Sequence, residues 1–139
     1  MTTTDPQAYI DDMARKRGYV LDYHKRLVAA DYEFARAAND IVDAAYLKPR
    51  RLDRKTKELI FIVSLTVMRA SKGHIQSHIR VALDLGLTPT EILEAIEIAL
   101  PEAGIVAFQT GFEAWREVVG ADGIEPTVAV HEGGSGAGQ

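Results

Sequence analysis

Two histidines, His74 and His78, stand four residues apart in Ser71-Lys72-Gly73-His74-Ile75-Gln76-Ser77-His78. On a helix that spacing puts both imidazoles on one face, one turn apart. Imidazole exchanges a proton near neutral pH, with a reference pKa of about 6.5, so such a pair suits general acid–base work. Glu58 lies upstream in the first turns of a run that also reads as helix, where the helix dipole favours a carboxylate. Lys72 and Arg69 flank the turn before the histidines, with Ser71 between them. Two neutral imidazoles and a carboxylate could also hold a metal of the hydrolytic type. His-Ile-Gln-Ser-His lacks the glutamate of the metalloprotease motif, however, and the expectation is no metal and no cofactor. The structural alternative is that the two rings are hydrogen-bonded core or interface groups.

The elements that must carry these residues are all helical. Asp5-Pro6 starts a short helix that Gly18 stops. From Tyr19 to Ala45, Leu27, Phe34 and Ile41 recur every seven residues, predicting an amphipathic helix broken near Asp31. His24 on that helix reads as an ordinary surface or interface histidine. Pro49 forces a loop. Asp53 caps the next helix, whose first turn is basic; with Lys48, Arg50, Arg51 and Arg54 it could form a solvated face or draw in an acidic substrate. Gly86 ends the histidine helix, and Thr88-Pro89-Thr90-Glu91 is a capping box opening a helix that Pro101 ends. A last helix runs from near Gly104 through Phe108, Phe112 and Trp115 to Gly120, its aromatics reading as core. Residues 121–139 are Gly-rich and expected to be disordered. No alternating strand pattern occurs, so the expectation is a single all-α domain over residues 1–120, a compact array of five to six helices.

Composition narrows the function classes. A net charge of −4 and a pI near 5.5 argue against non-specific binding to nucleic acid or anionic membranes. The apolar run Leu59–Met68 is too short to span a bilayer and no apolar leader opens the sequence, so the cytoplasm is the expected compartment. The chain has no cysteine, which removes disulfides, thiolate metal sites and dithiol redox chemistry.

Leu52-Asp53-Arg54-Lys55-Thr56-Lys57-Glu58-Leu59-Ile60, a long apolar helix, then Ser71-x-x-His74-x-x-x-His78-x-Arg80-x-Ala82-x-x-x-Gly86-Leu87-Thr88 and Glu91-Ile92 together resemble the carboxymuconolactone decarboxylase family, which includes the alkylhydroperoxidase D-like proteins. The likeness runs from about Asp22 to Gly120, with Gly104-Ile105-x-Ala107 similar to the start of the family's last helix. Peroxidase members use Cys-x-x-Cys-x-x-x-His. Here Ser71 and His74 stand at the two cysteine positions and His78 at the histidine, so the resemblance implies a member without peroxidase activity. It implies a decarboxylase-like lyase acting on a small acidic lactone or oxo-acid in aromatic-compound catabolism, with His78 as acid–base, His74 as a second donor, Glu58 as the group that fixes a histidine tautomer, and Lys72, Arg69 and Ser71 meeting the substrate and its carboxylate. It also implies a homo-oligomer, a trimer or hexamer. The alternatives are a non-catalytic oligomeric protein that binds a small molecule, and a histidine-ligated metal-dependent hydrolase on the same fold.

Overall fold

The computed structural model describes residues 5–120, and the expected tail lies outside them. Among these residues there is no strand. Eight helices follow in order: α1 (Pro6–Arg17), α2 (Asp22–Ala30), α3 (Tyr32–Val42), α4 (Arg54–Val67), α5 (Lys72–Asp84), α6 (Pro89–Glu97), α7 (Ala99–Ala103) and α8 (Ile105–Val119). A π-helical turn, Asp43–Leu47, prolongs α3. The all-α expectation holds, and the count exceeds five to six for two local reasons. The Tyr19–Ala45 segment divides at Asp31, whose carboxylate accepts the Phe34 N–H and caps α3. The α6 segment bends at Ile98, and Pro101 does not end it: the proline sits in the first turn of α7, where its missing N–H has no intrahelical partner to lose.

The helix ends follow from their residues. Asp5 and Asp53 accept from Gln7 N–H and Thr56 N–H, and the Thr88–Glu91 capping box closes in both directions. Gly18 caps α1 with φ +87°, a left-handed conformation that costs side-chain-bearing residues roughly 1–2 kcal/mol. Between α4 and α5 the same conformation falls on Arg69, φ +55°, whose N–H reaches Thr66 C=O while Ala70 N–H reaches Leu65 C=O.

Two cores result. The larger one joins α4, α5, α6 and α8 through Ile62, Ile75, Ile79, Ile92, Ile96 and Trp115. Trp115 is 2 % exposed, its indole N–H donating to Pro89 C=O at 2.9 Å. Helices α4 and α8 approach closely at Gly111, where a Cβ would overlap the Thr66 side chain and come within 2.9 Å of Ile96 Cγ2. The smaller core, Ile10, Val28 and Ala35 with Tyr9, Leu27 and Tyr32 against them, joins α1, α2 and α3. Here the heptad expectation needs correcting. Phe34 and Ile41 are 61 % and 72 % exposed, and the buried face of α3 is carried by Ala35 instead. Small side chains let α3 lie close to its neighbours, and the larger apolar residues point outward. Leu100, beyond the bend at Ile98, is 44 % exposed.

Candidate functional site

Helices α4 and α5 lie side by side. Ile62 and Ile79 enter the larger core, while Glu58, one turn before Ile62 on α4, and His78, beside Ile79 on α5, meet each other. Both side chains are completely buried, with His78 Nδ1 2.7 Å from Glu58 Oε2. Arg54, one turn before Glu58 on α4, donates from Nε to the other carboxylate oxygen at 3.1 Å. Its Nη2 donates to Tyr46 Oη at 2.8 Å and to Arg17 C=O at 2.9 Å. Burial pushes the Glu58 carboxyl up and the His78 ring opposes that rise. Arg54 supplies a cation on the other side, so the carboxylate is clamped from both oxygens.

Glu58 accepts the proton on His78 Nδ1 and thereby leaves the Nε2 lone pair as the free face of the ring. Tyr19, in the loop between α1 and α2, donates its O–H to that nitrogen at 3.2 Å. Burial raises the Tyr19 pKa, keeping the phenol protonated. Phe61 stacks on the imidazole with ring planes 7° apart and centroids 4.6 Å apart, and Tyr46 from the π-turn meets it edge-on at 5.9 Å. The result is a carboxylate–imidazole–phenol relay. Its inner members are dry and its outer member, Tyr19, is partly exposed. Such an array can pass a proton between a group at Tyr19 Oη and the Glu58–His78 pair.

The other expected site residues are distributed unevenly. The His74 ring lies 5.5 Å from that of His78, half-buried, with its pKa lowered by burial first and by His78 second. Ser71 caps α5, accepting the His74 N–H, and is exposed. Lys72 is exposed and paired with Glu117 at 2.7 Å, and Arg69 is exposed at the α4–α5 turn. The structure therefore does not bring Ser71, Lys72 or Arg69 to the Glu58–His78 pair; the cation that reaches it is Arg54. Among the described residues no three His, Asp or Glu side chains converge as a metal site. His78 commits one ring nitrogen to Glu58 and the other to Tyr19, leaving neither for a metal shared with His74.

His24 is not a surface residue. It is 7 % exposed, its Nδ1 accepting the Leu21 N–H at 3.0 Å and its Nε2 3.3 Å from Arg17 Nη1. Burial, then the Arg17 charge, then His74 lower its pKa to about 4, so the ring is neutral. The residues that sequence reasoning passed over are Tyr19, Tyr46 and Phe61, together with the clamping role of Arg54. Only the Arg54–Glu58 spacing of four carried a signal for it.

The family model of the carboxymuconolactone decarboxylase family matches residues 32–117. The chain belongs to that family. Among curated proteins none matches it. The match takes in Tyr46, Arg54, Glu58, His74 and His78, whereas Arg17, Tyr19 and His24 precede it. The outer member of the relay, Tyr19, is thus supplied by the α1–α2 loop that precedes the family segment.

Proposed function

We propose that this chain is a decarboxylase-like acid–base enzyme acting on a small acidic lactone or oxo-acid. The observation that carries the reading is the buried Glu58–His78 pair at 2.7 Å, joined through Nε2 to a partly exposed phenol. Glu58 holds the ring in one tautomer, His78 Nε2 accepts from the Tyr19 hydroxyl, and Tyr19 exchanges its proton with the substrate and recovers it from water, with His74 as a second donor one turn away. When a carboxyl group beside a carbonyl is lost, the C–C bond breaks, carbon dioxide leaves and the electron pair moves onto the carbonyl as an enolate. A proton then returns to carbon, which is the step the relay serves. Lys48, Arg50, Arg54 and Lys57, with Asp53 as the one acid, border a cleft of about 330 Å³ whose wall includes Tyr46 but not Tyr19 or His78, and this positive surface favours the approach of an anionic substrate.

A non-catalytic binding role is the second reading, favoured by the absence of any exposed surface on His78. Proton NMR of small lactone acids and oxo-acids in deuterated buffer separates the two. The enzyme incorporates deuterium or releases carbon dioxide, and His78→Ala lowers the rate about 10²- to 10⁴-fold. Turnover that survives the substitution removes His78 from the mechanism, and no exchange with any substrate favours the binding role.

We further propose a homo-oligomer, a trimer or hexamer, in the cytoplasm. Phe34 and Ile41 on α3, and Ile98, Leu100, Ile105 and Val106 around α7, are large apolar side chains left exposed on a single chain. No helix among the described residues is long and apolar enough to cross a membrane. Light scattering gives the subunit number, and a monomer at micromolar concentration would refute the assembly.

A further inference from the structure

Next to the relay, and sharing no lining residue with Glu58, His78 or Tyr19, is a partly enclosed cavity of about 40 Å³ between α1, α2 and α3. Its polar wall is Arg17, His24 and Asn39; Met13, Val28 and Val42 contribute to the apolar remainder. Arg17 is 4 % exposed, and among the described residues no carboxylate lies within ion-pair distance of its guanidinium. Nη2 donates to Asn39 Oδ1, and buried Nε has no hydrogen-bond partner. Asn39 directs its own amide toward Asp43, with Nδ2 3.5 Å from Oδ2.

Arg17 also acts on the Tyr19 phenol, a neutral group that supplies no counter-ion, and its contact with His24 makes the imbalance sharper. His24 Nδ1 accepts the Leu21 N–H, so the proton of the neutral ring resides on Nε2. Arg17 Nη1, 3.3 Å away, therefore faces a donor with a donor. A buried cation without a counter-ion costs several kcal/mol unless something compensates it. One acceptor-only group in the cavity would satisfy the orphaned donors at once. A volume of 40 Å³ admits roughly three water-sized groups, which is the size of a carboxylate head.

We propose that the α1–α2–α3 cavity is a carboxylate-binding site in which Arg17 makes the charge-assisted hydrogen bonds and His24 Nε2–H donates a further one. The apolar walls accept a short aliphatic stem and disfavour a hydrated inorganic ion. Two sources have this chemistry: a free small carboxylate, or a carboxyl group at one end of the acid that reacts at Tyr19. The Tyr19 ring lies between the two sites, with its centroid 6.4 Å from that of His24 and 4.9 Å from that of His78.

Acetate and 4-oxopentanoate, titrated at constant ionic strength, test this without any turnover, so the outcome is independent of the proposed reaction. Wild type shows a saturable rise in Tm with millimolar affinity and a shift of the His24 ring resonances. Arg17→Met removes the buried charge, remains folded and loses the response, while Arg17→Lys weakens it at least tenfold by losing the planar fork. A free-anion site moves His24 alone with both ligands. A substrate-carboxylate site moves His78 as well with 4-oxopentanoate. The proposal fails if wild type shows no saturable response to acetate, or if either Arg17 variant responds as wild type does.

Discussion

His78 and Ile79 are neighbours on α5, both with no exposed surface, yet they face opposite environments. Ile79 enters a core of aliphatic side chains, where any group of suitable volume satisfies the contact. His78 enters a space in which every polar atom has one specified partner: Glu58 on one nitrogen, Tyr19 on the other, Phe61 against the ring face. Along α4 the division falls between successive turns, with Arg54 and Glu58 in the polar cluster and Ile62, one turn further on, in the aliphatic core. The aliphatic face stabilises by area and tolerates exchange. The polar face adds little net stability for its size but loses much when one partner is removed, because the remaining charges stay buried.

Substitution separates the two faces. Glu58→Ala strands His78 and Arg54 and costs about 3–5 kcal/mol in chemical denaturation, together with loss of activity. Ile79→Ala costs a comparable 2–5 kcal/mol by opening a cavity. It leaves the pH dependence of the reaction unchanged, which Glu58 variants do not. If both substitutions shifted the pH profile alike, the division between the faces would be wrong.

His24 supplies the next largest effect. Its folded pKa of about 4 lies below the ordinary histidine value of 6.5, so between these values the unfolded chain binds a proton that the folded chain refuses. Its contribution is complete above pH 6.5 and is lost as pH falls toward 4, by about 3 kcal/mol in total. Glu58, raised by burial, works in the opposite direction. The slope is therefore read as the difference between wild type and His24→Phe in Tm measured across that window, and coincident slopes would place His24 in solvent. Tyr19→Phe is the mildest change for stability, removing one hydrogen bond worth about 1 kcal/mol. In kinetics it lowers the rate while sparing the fold, as circular dichroism would show.

The same contrast explains what could be read beforehand. The Asp, Thr and Gly caps, the break at Asp31 and the all-α class follow from local chemistry that needs only a few residues of context. The i, i+4 pair of histidines on one helix, and Glu58 as the partner of His78, were also legible. Tyr19 was not, because it sits in a loop 59 positions from His78 and only the packing of α1 and α2 brings it there. Lys72 and Arg69 are close to His74 in sequence, but that closeness does not carry into the site. Lys72 instead turns to Glu117, and Arg54 became the inner cation because it shares a helix face with Glu58. The heptad of Leu27, Phe34 and Ile41 misled because apolar periodicity marks a face without saying what covers it. In α3 the close approach to α1 and α2 uses Ala35, leaving Phe34 and Ile41 outside.

Nitrogen-15 NMR of the His78 ring tests the relay most directly, since the two ring nitrogens report separately which carries the proton. The account predicts Nδ1 protonated and hydrogen-bonded to Glu58, with Nε2 an unprotonated acceptor whose resonance shifts when Tyr19 is replaced by Phe. A proton on Nε2, or a spectrum indifferent to Tyr19→Phe, would contradict it.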